Sequence, residues 1–191
     1  MASIQHEMKE NLDARNLNFV PMTIAAGKEL QNYKIRRNRI LENPNSTIIF
    51  NFQYNRDKKE LDILIKKIKF FLNKDFKIIL IYPIPQFKEN ISEVIKKKIS
   101  LRNNDYIKNY INILYSDYEN DTGFIFKELK RLNHKNLHKV YPHEIFCNTI
   151  VKNKCIAHNN NDIFFIDNLH LAKKGSTLIN IDLMKIIDKI Q

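Results

Sequence analysis

Tryptophan is absent from the 191 residues, glycine occurs only three times and cysteine only twice. No apolar run approaches the ~20 residues a helix needs to cross a bilayer. The amino terminus is mixed and charged rather than basic and then apolar, so neither a membrane span nor a secretory leader is expected. No internal repeat and no linker-like stretch interrupts the chain, which points to one domain over residues 1–191. What is abundant is lysine, asparagine and isoleucine. The excess of 32 Lys and Arg over 21 Asp and Glu gives a net charge of +11. Basic patches attract phosphates, but these lysines are spread through every segment, so a solvated basic surface is expected and no nucleic-acid partner is inferred. A hydrophobic content of 43% in 191 residues is enough for one α/β domain with a core.

The stretch Ile163-Phe164-Phe165-Ile166-Asp167-Asn168-Leu169-His170 draws the rest of the chain around it. A strand-like apolar run, Ile163 to Ile166, stops at an acid, and a histidine follows three residues later on the way into a helix expected from about Leu171. Side chains at the carboxyl end of a strand in an open α/β sheet face the crevice where ligands bind. An acid at that spacing can reach the ring, fix its tautomer and stabilise the imidazolium once the other nitrogen has taken a proton from a nucleophile. Asp167 and His170 thus read as half of a hydrolase triad. The alternative is local: Asp167 caps the helix and His170 is a surface histidine.

Cys147 and Cys155, eight residues apart around a short polar loop, suit one local disulfide and therefore an oxidising compartment. A zinc set of His143, Cys147, Cys155 and His158 is the other reading. Within it neither the cysteines nor the histidines have the close spacing of common zinc motifs, and no metal is assigned.

Periodicity places an amphipathic helix over Ser3–Ala14 and a strand over Leu17–Met22 that ends near Gly27, whose backbone amide would sit at the strand's carboxyl end. Lys28–Leu41 reads as a basic helix or a partly ordered excursion. Thr47–Phe52 is a buried strand by its β-branched and aromatic content, with Asn51 near its end, where an amide could donate to an oxyanion. A helix follows over Asp57–Leu72. Lys77–Tyr82 is the clearest strand, ended by Pro83 and Pro85. Helical patterns follow within Phe87–Lys98 and over Asp105–Tyr115 and Phe124–Leu132, the last two separated by the polar stretch Ser116–Gly123. A short strand is expected over Leu137–Tyr141, a last strand at Ile163–Ile166 and a final helix over Leu178–Ile190. Strands alternating with helices argue for a parallel sheet covered on both faces, with four or five strands and Lys77–Tyr82 inside.

Phe165 to Leu171, followed by Gly175, resembles the Asp-x-x-His block of SGNH hydrolases. The version it is most similar to belongs to the SGNH domain fused to membrane acyltransferases of the acyltransferase-3 type, the O-acetylases of bacterial surface polysaccharides. Three further segments match in order. Ile78 to Gln86 resembles that domain's strand ending in a Pro-x-Pro turn, Cys147 and Cys155 its cysteine pair, and Thr47 to Tyr54 its middle strand. The resemblance covers nearly the whole chain.

It implies a flavodoxin-like, doubly wound α/β fold. It also implies a serine activated by His170, with Asp167 behind it and Gly27 and Asn51 as oxyanion candidates, in acetyl transfer to, or ester hydrolysis on, a polysaccharide. An acyl donor, a carbohydrate acceptor and an upstream membrane domain would be the partners. The setting would be extracytoplasmic, and no cofactor is called for. Three departures stand out. Gly-Asp-Ser, which carries the family's nucleophile at the end of the first, central strand, occurs nowhere in the sequence. Tyr54 stands near where an aromatic, often Trp, is usual, and a Gly-x-Asn-Asp block is missing. The chain is therefore expected to lack the first strand, as a fragment of a longer protein with at most trace activity alone. Ser3 as a displaced nucleophile lacks the Gly-Asp that should precede it, and a non-catalytic accessory domain of the same fold is the alternative.

Overall fold

In a computed structural model, residues 2–15, 17, 35, 37–51, 57–100 and 110–191 are described. In order the elements are helix α1 (Ala2–Asp13), strand β1 (Thr47–Asn51), α2 (Lys58–Leu72), β2 (Lys77–Ile81), α3 (Ile91–Ser100), β3 (Asn112–Leu114), α4 (Tyr115–Lys130), β4 (Leu137–Val140), α5 (Pro142–Phe146), β5 (Lys154–Ile156) and α6 (Lys173–Ile190). Strands β1, β2 and β4 form a parallel sheet with β2 in the middle.

The position of β2 follows from its composition. A strand covered on both faces must be apolar at every position, and Ile78, Ile79, Leu80 and Ile81 are all buried. Successive side chains point to opposite sides. Ile79 and Ile81 therefore pack with Met8 and Leu12 of α1, Ile91 and Ile95 of α3, and Ile179 and Leu183 of α6. Ile78, Leu80 and Tyr82 pack on the other side with Leu61, Ile68 and Phe71 of α2 and Ile125 and Leu129 of α4. Helices on both faces of a parallel sheet make the doubly wound α/β arrangement that the sequence predicts. Entry into α2 is set by Asp57, whose carboxylate accepts from Glu60 N–H at 2.8 Å, a cap worth about 1 kcal/mol.

Several elements differ from expectation. Three parallel strands occur among the described residues, against four or five expected. Ile163–Ile166 is extended but belongs to no parallel strand: Ile163 bridges His158 and Phe165 bridges Leu171, both antiparallel. Its backbone is committed elsewhere, because Phe164 and Phe165 N–H donate to Ala157 O and Phe164 O accepts from Ala172 N–H. Instead of ending a helix, Asn112–Leu114 pairs antiparallel with Lys154–Ile156. The polar stretch Ser116–Gly123 lies inside α4 rather than between two helices. Its buried Tyr118 and Thr122 supply the inward face, and the acids point to solvent. The expected strand at Leu17–Met22 apart from Leu17, most of Lys28–Leu41, and residues 105–109 of the expected Asp105–Tyr115 helix lie outside the described residues.

Candidate active site

Phe165 and Leu171 bridge to each other, Ile166 N–H donates to His170 O at 2.8 Å, and the five residues between them form a closed turn. Asp167 locks it from inside. Its Oδ1 accepts from the N–H groups of both Leu169 and His170 at 2.7 Å, and its Oδ2 is 2.8 Å from His170 Nδ1. Asp167 does not cap the helix as the local reading expects, because α6 begins at Lys173 with Ala172 before it and no side-chain cap bond; one carboxylate oxygen closes the turn and the other meets the His170 ring.

Outside contacts fix where the turn sits. Phe87 N–H donates to Asn168 O, and the N–H and hydroxyl of Ser92 both donate to Ile166 O. Phe87 lies on the segment that leaves the carboxyl end of β2, and Ser92 opens α3, so the turn stands over the end of the sheet where α/β ligand sites form. Behind it, α6 approaches Phe164 so closely that a Cβ on Gly175 would lie 2.2 Å from Phe164 O. Only glycine admits that contact.

The Asp167 side chain is 28% exposed and that of His170 56%. Burial by itself raises the Asp167 carboxyl, but the N–H of Leu169, the His170 ring and the N–H of His170 outweigh it and hold the acid below its ordinary range. An ionised Asp167 keeps the proton of a neutral His170 on Nδ1 and leaves Nε2 as the basic nitrogen. Among the described residues no hydroxyl or thiol bonds to that ring. The arrangement is an imidazole held by a carboxylate, a geometry that can serve as a general base with its orienting acid.

The other candidate residues fall in different places. Cys147 and Cys155 form a disulfide, which consumes the thiolates that the zinc reading required. Asn51 is the last residue of β1, at the carboxyl edge of the sheet, and no hydrogen bond joins it to the Asp167–His170 turn among the described residues. Gly27 and Tyr54 lie outside them. Ser3 falls within α1, not in a strand-to-helix turn. Two described grooves, of about 390 and 340 Å³, lie away from the turn, so the site rests on side-chain geometry rather than on a formed cavity. Sequence reasoning weighed His158 only as a zinc ligand and missed its structural role; the residue is buried. Its Nε2 accepts from Ile111 N–H at 3.0 Å while Nδ1 faces Asn159 O at 3.1 Å, pinning the hairpin that leads into Phe164.

A solved structure, that of the periplasmic domain of a lipopolysaccharide acetyltransferase from Salmonella ser. Paratyphi A, is similar to this chain with a TM-score of 0.59 at 15% identity. The match covers 96% of this chain and 78% of that one. At such identity the likeness is one of fold. No curated protein matches the chain. The family model of the SGNH domain (fused to AT3 domains) matches residues 12–183, a span that takes in all the strands described above and the Asp167–His170 turn. The chain belongs to the SGNH domain family whose members are fused to AT3 acyltransferase domains.

Proposed function

We propose that residues 1–191 act as one domain, the extracytoplasmic SGNH part of an O-acyltransferase that works on cell-surface polysaccharide alongside a membrane acyltransferase domain. A serine from a Gly-Asp-Ser segment, which these residues do not contain, attacks the acyl carbonyl while His170 Nε2 takes its proton. Asp167 steadies the imidazolium that results, which gives the proton to the donor's leaving group as the acyl–donor bond breaks, so that Nε2 is again free to act as base. In the second half-reaction a sugar hydroxyl gives its proton to Nε2 and attacks the acyl-serine, and the serine leaves as its hydroxyl form. Acetyl is the acyl group the reading favours. With water as acceptor the same steps are ester hydrolysis. Backbone amides, that of Gly27 among the candidates, and the side-chain amide of Asn51 hold the oxyanion.

The observation that carries this reading is the 2.8 Å bond between Asp167 Oδ2 and His170 Nδ1, with Nε2 left open. A base accelerates attack only within hydrogen-bond reach of the nucleophile, roughly 2.6–3.2 Å. The 191 residues alone therefore give at most trace p-nitrophenyl acetate turnover, unchanged by Ser3→Ala. A longer protein that includes a Gly-Asp-Ser segment turns over, and His170→Ala abolishes it. Robust activity of the short chain that disappears in Ser3→Ala overturns the assignment of the nucleophile. An inactive longer protein with intact fold supports the rival role, a non-catalytic accessory domain.

A further inference from the structure

The end of the sheet opposite the Asp167–His170 turn carries a second arrangement of charge. A groove of about 390 Å³ opens where the carboxyl end of α6 meets the start of β4, lined by His134, His138, Lys139 and Lys189 together with apolar Leu137 and Ile186. No carboxylate is among its lining residues. Helix α6 has 18 residues and is therefore roughly 27 Å long, so groove and turn lie at opposite ends of one helix.

Part of this charge has a structural role. Lys77 Nζ donates to Ile190 O at the end of α6, and Lys139 Nζ donates to Leu132 O just past α4, at 2.8 Å. Lysines at helix carboxyl ends offset the exposed carbonyls there. What remains is unspent: Lys139 keeps two N–H groups, and Lys189 forms no ion pair among the described residues. His134 Nδ1 accepts from Asn136 N–H at 3.1 Å, so its Nε2 carries the proton and donates. Burial, followed by the charges of Lys189 and Lys77, holds the His138 imidazole below its usual range. The groove is thus a region of positive potential. Lys139 and Lys189 repel a cation, and no acid among the lining residues offsets them.

We propose that this groove is an anion site that takes a phosphate-bearing ligand. A phosphate offers several acceptor oxygens to N–H donors, and the open groove presents them from His134, His138 and Lys189. His138 feels Lys189 of α6 and Lys77 of β2, while Lys139, the next residue on β4, points to the opposite face and lines the groove from around the strand's edge, so an anion beside His138 and Lys189 favours the protonated imidazole. Binding therefore tightens as pH falls. A lipid headgroup and a soluble phosphate present the same chemistry. The site does not depend on the catalytic reading of the turn.

The test follows the imidazole resonances of His134 and His138 in the 191-residue chain by NMR. Inorganic phosphate is titrated first, then vesicles of phosphatidylglycerol in phosphatidylcholine, with pure phosphatidylcholine vesicles as the neutral control. Saturable shifts are expected with either probe; their strengthening between pH about 7.5 and about 5.5 is read with the phosphatidylglycerol vesicles, whose phosphodiester keeps its charge while inorganic phosphate gains a proton. The shifts should weaken several-fold as ionic strength rises and the screening length falls from roughly 30 Å to about 8 Å. Lys189→Gln and His138→Gln should each reduce the affinity several-fold, and Lys152→Gln, on the distant disulfide loop, should leave it unchanged. A response to phosphate alone marks a soluble ligand, and a response to anionic vesicles marks a membrane-facing site. No saturable shift with either probe, or equal weakening by Lys152→Gln, overturns the proposal, because charge alone would then account for binding.

Discussion

Asp167 accepts three hydrogen bonds from groups within three residues of itself, and that saturation governs how it titrates. Its carboxyl lies below the ordinary value in the folded chain. The stability it contributes is therefore complete above the unfolded value of about 3.9 and is lost as pH falls through the lower native one. Carbon-detected NMR should show Asp167 titrating below a free aspartate, with His170→Ala moving it upward; no movement would mean that the ring contributes nothing. His158 has the opposite chemistry and the same direction of pH dependence. Burial holds its ring below the usual value, and protonation would turn the Nε2 acceptor of Ile111 N–H into a donor. Stability from His158 is full above about 6.5 and declines as pH drops toward the depressed native value. Urea midpoints measured across that window should fall with pH, and less steeply in His158→Gln. The Asp167–His170 pair was legible because residues three apart in a turn can meet without help from the rest of the fold. The role of His158 was not, because its partner Ile111 is 47 residues away.

Elements meet closely at two places. Gly175 lets α6 touch the backbone of the extended segment leading to the turn. Gly175→Ala sets a methyl against Phe164 O, which cannot yield as a side-chain tip would, so a loss of about 1–3 kcal/mol or more is expected. The melting temperature should drop, and the His170 resonances should shift because the turn moves with its support. An unperturbed His170 would separate the helix contact from the site. The disulfide ties Cys147, just after α5, to β5 across eight residues. Loop closure of that length corresponds to about 2.5 kcal/mol. A Cys147→Ser, Cys155→Ser double variant should lose about that much in urea unfolding, with both sulfurs buried in the wild type. The pairing was readable from spacing, whereas the reason for Gly175 was not: a sequence shows that glycine is scarce, not which backbone it lies against.

Across the whole molecule, β2 separates two apolar layers and belongs to both. Ile79→Ala opens a cavity on the α1/α3/α6 side and Leu80→Ala one on the α2/α4 side; each should cost about 2–5 kcal/mol. Both should lower one common unfolding transition, because the strand they share cannot fold against one layer alone. Two separate transitions would show that the layers are independent. The uninterrupted apolar run at Lys77–Ile81 was enough to name this strand and its interior place, since only a strand covered on both faces has no polar position. The run at Ile163–Ile166 looked the same and was assigned to the same sheet. There the chain folds back on itself: Ala157 and Ala172 take up its backbone bonds, and a five-residue turn replaces a strand end. Hydrophobic pattern by itself determined which segments are buried and the α/β class, and short spacing the local pairings of Asp167 with His170 and Cys147 with Cys155. Only the tertiary structure decided which strands pair, where the turn docks on Phe87 and Ser92, and how basic side chains gather between α6 and β4, because backbone hydrogen-bond partners and charge neighbours are set by contacts between residues far apart in the chain.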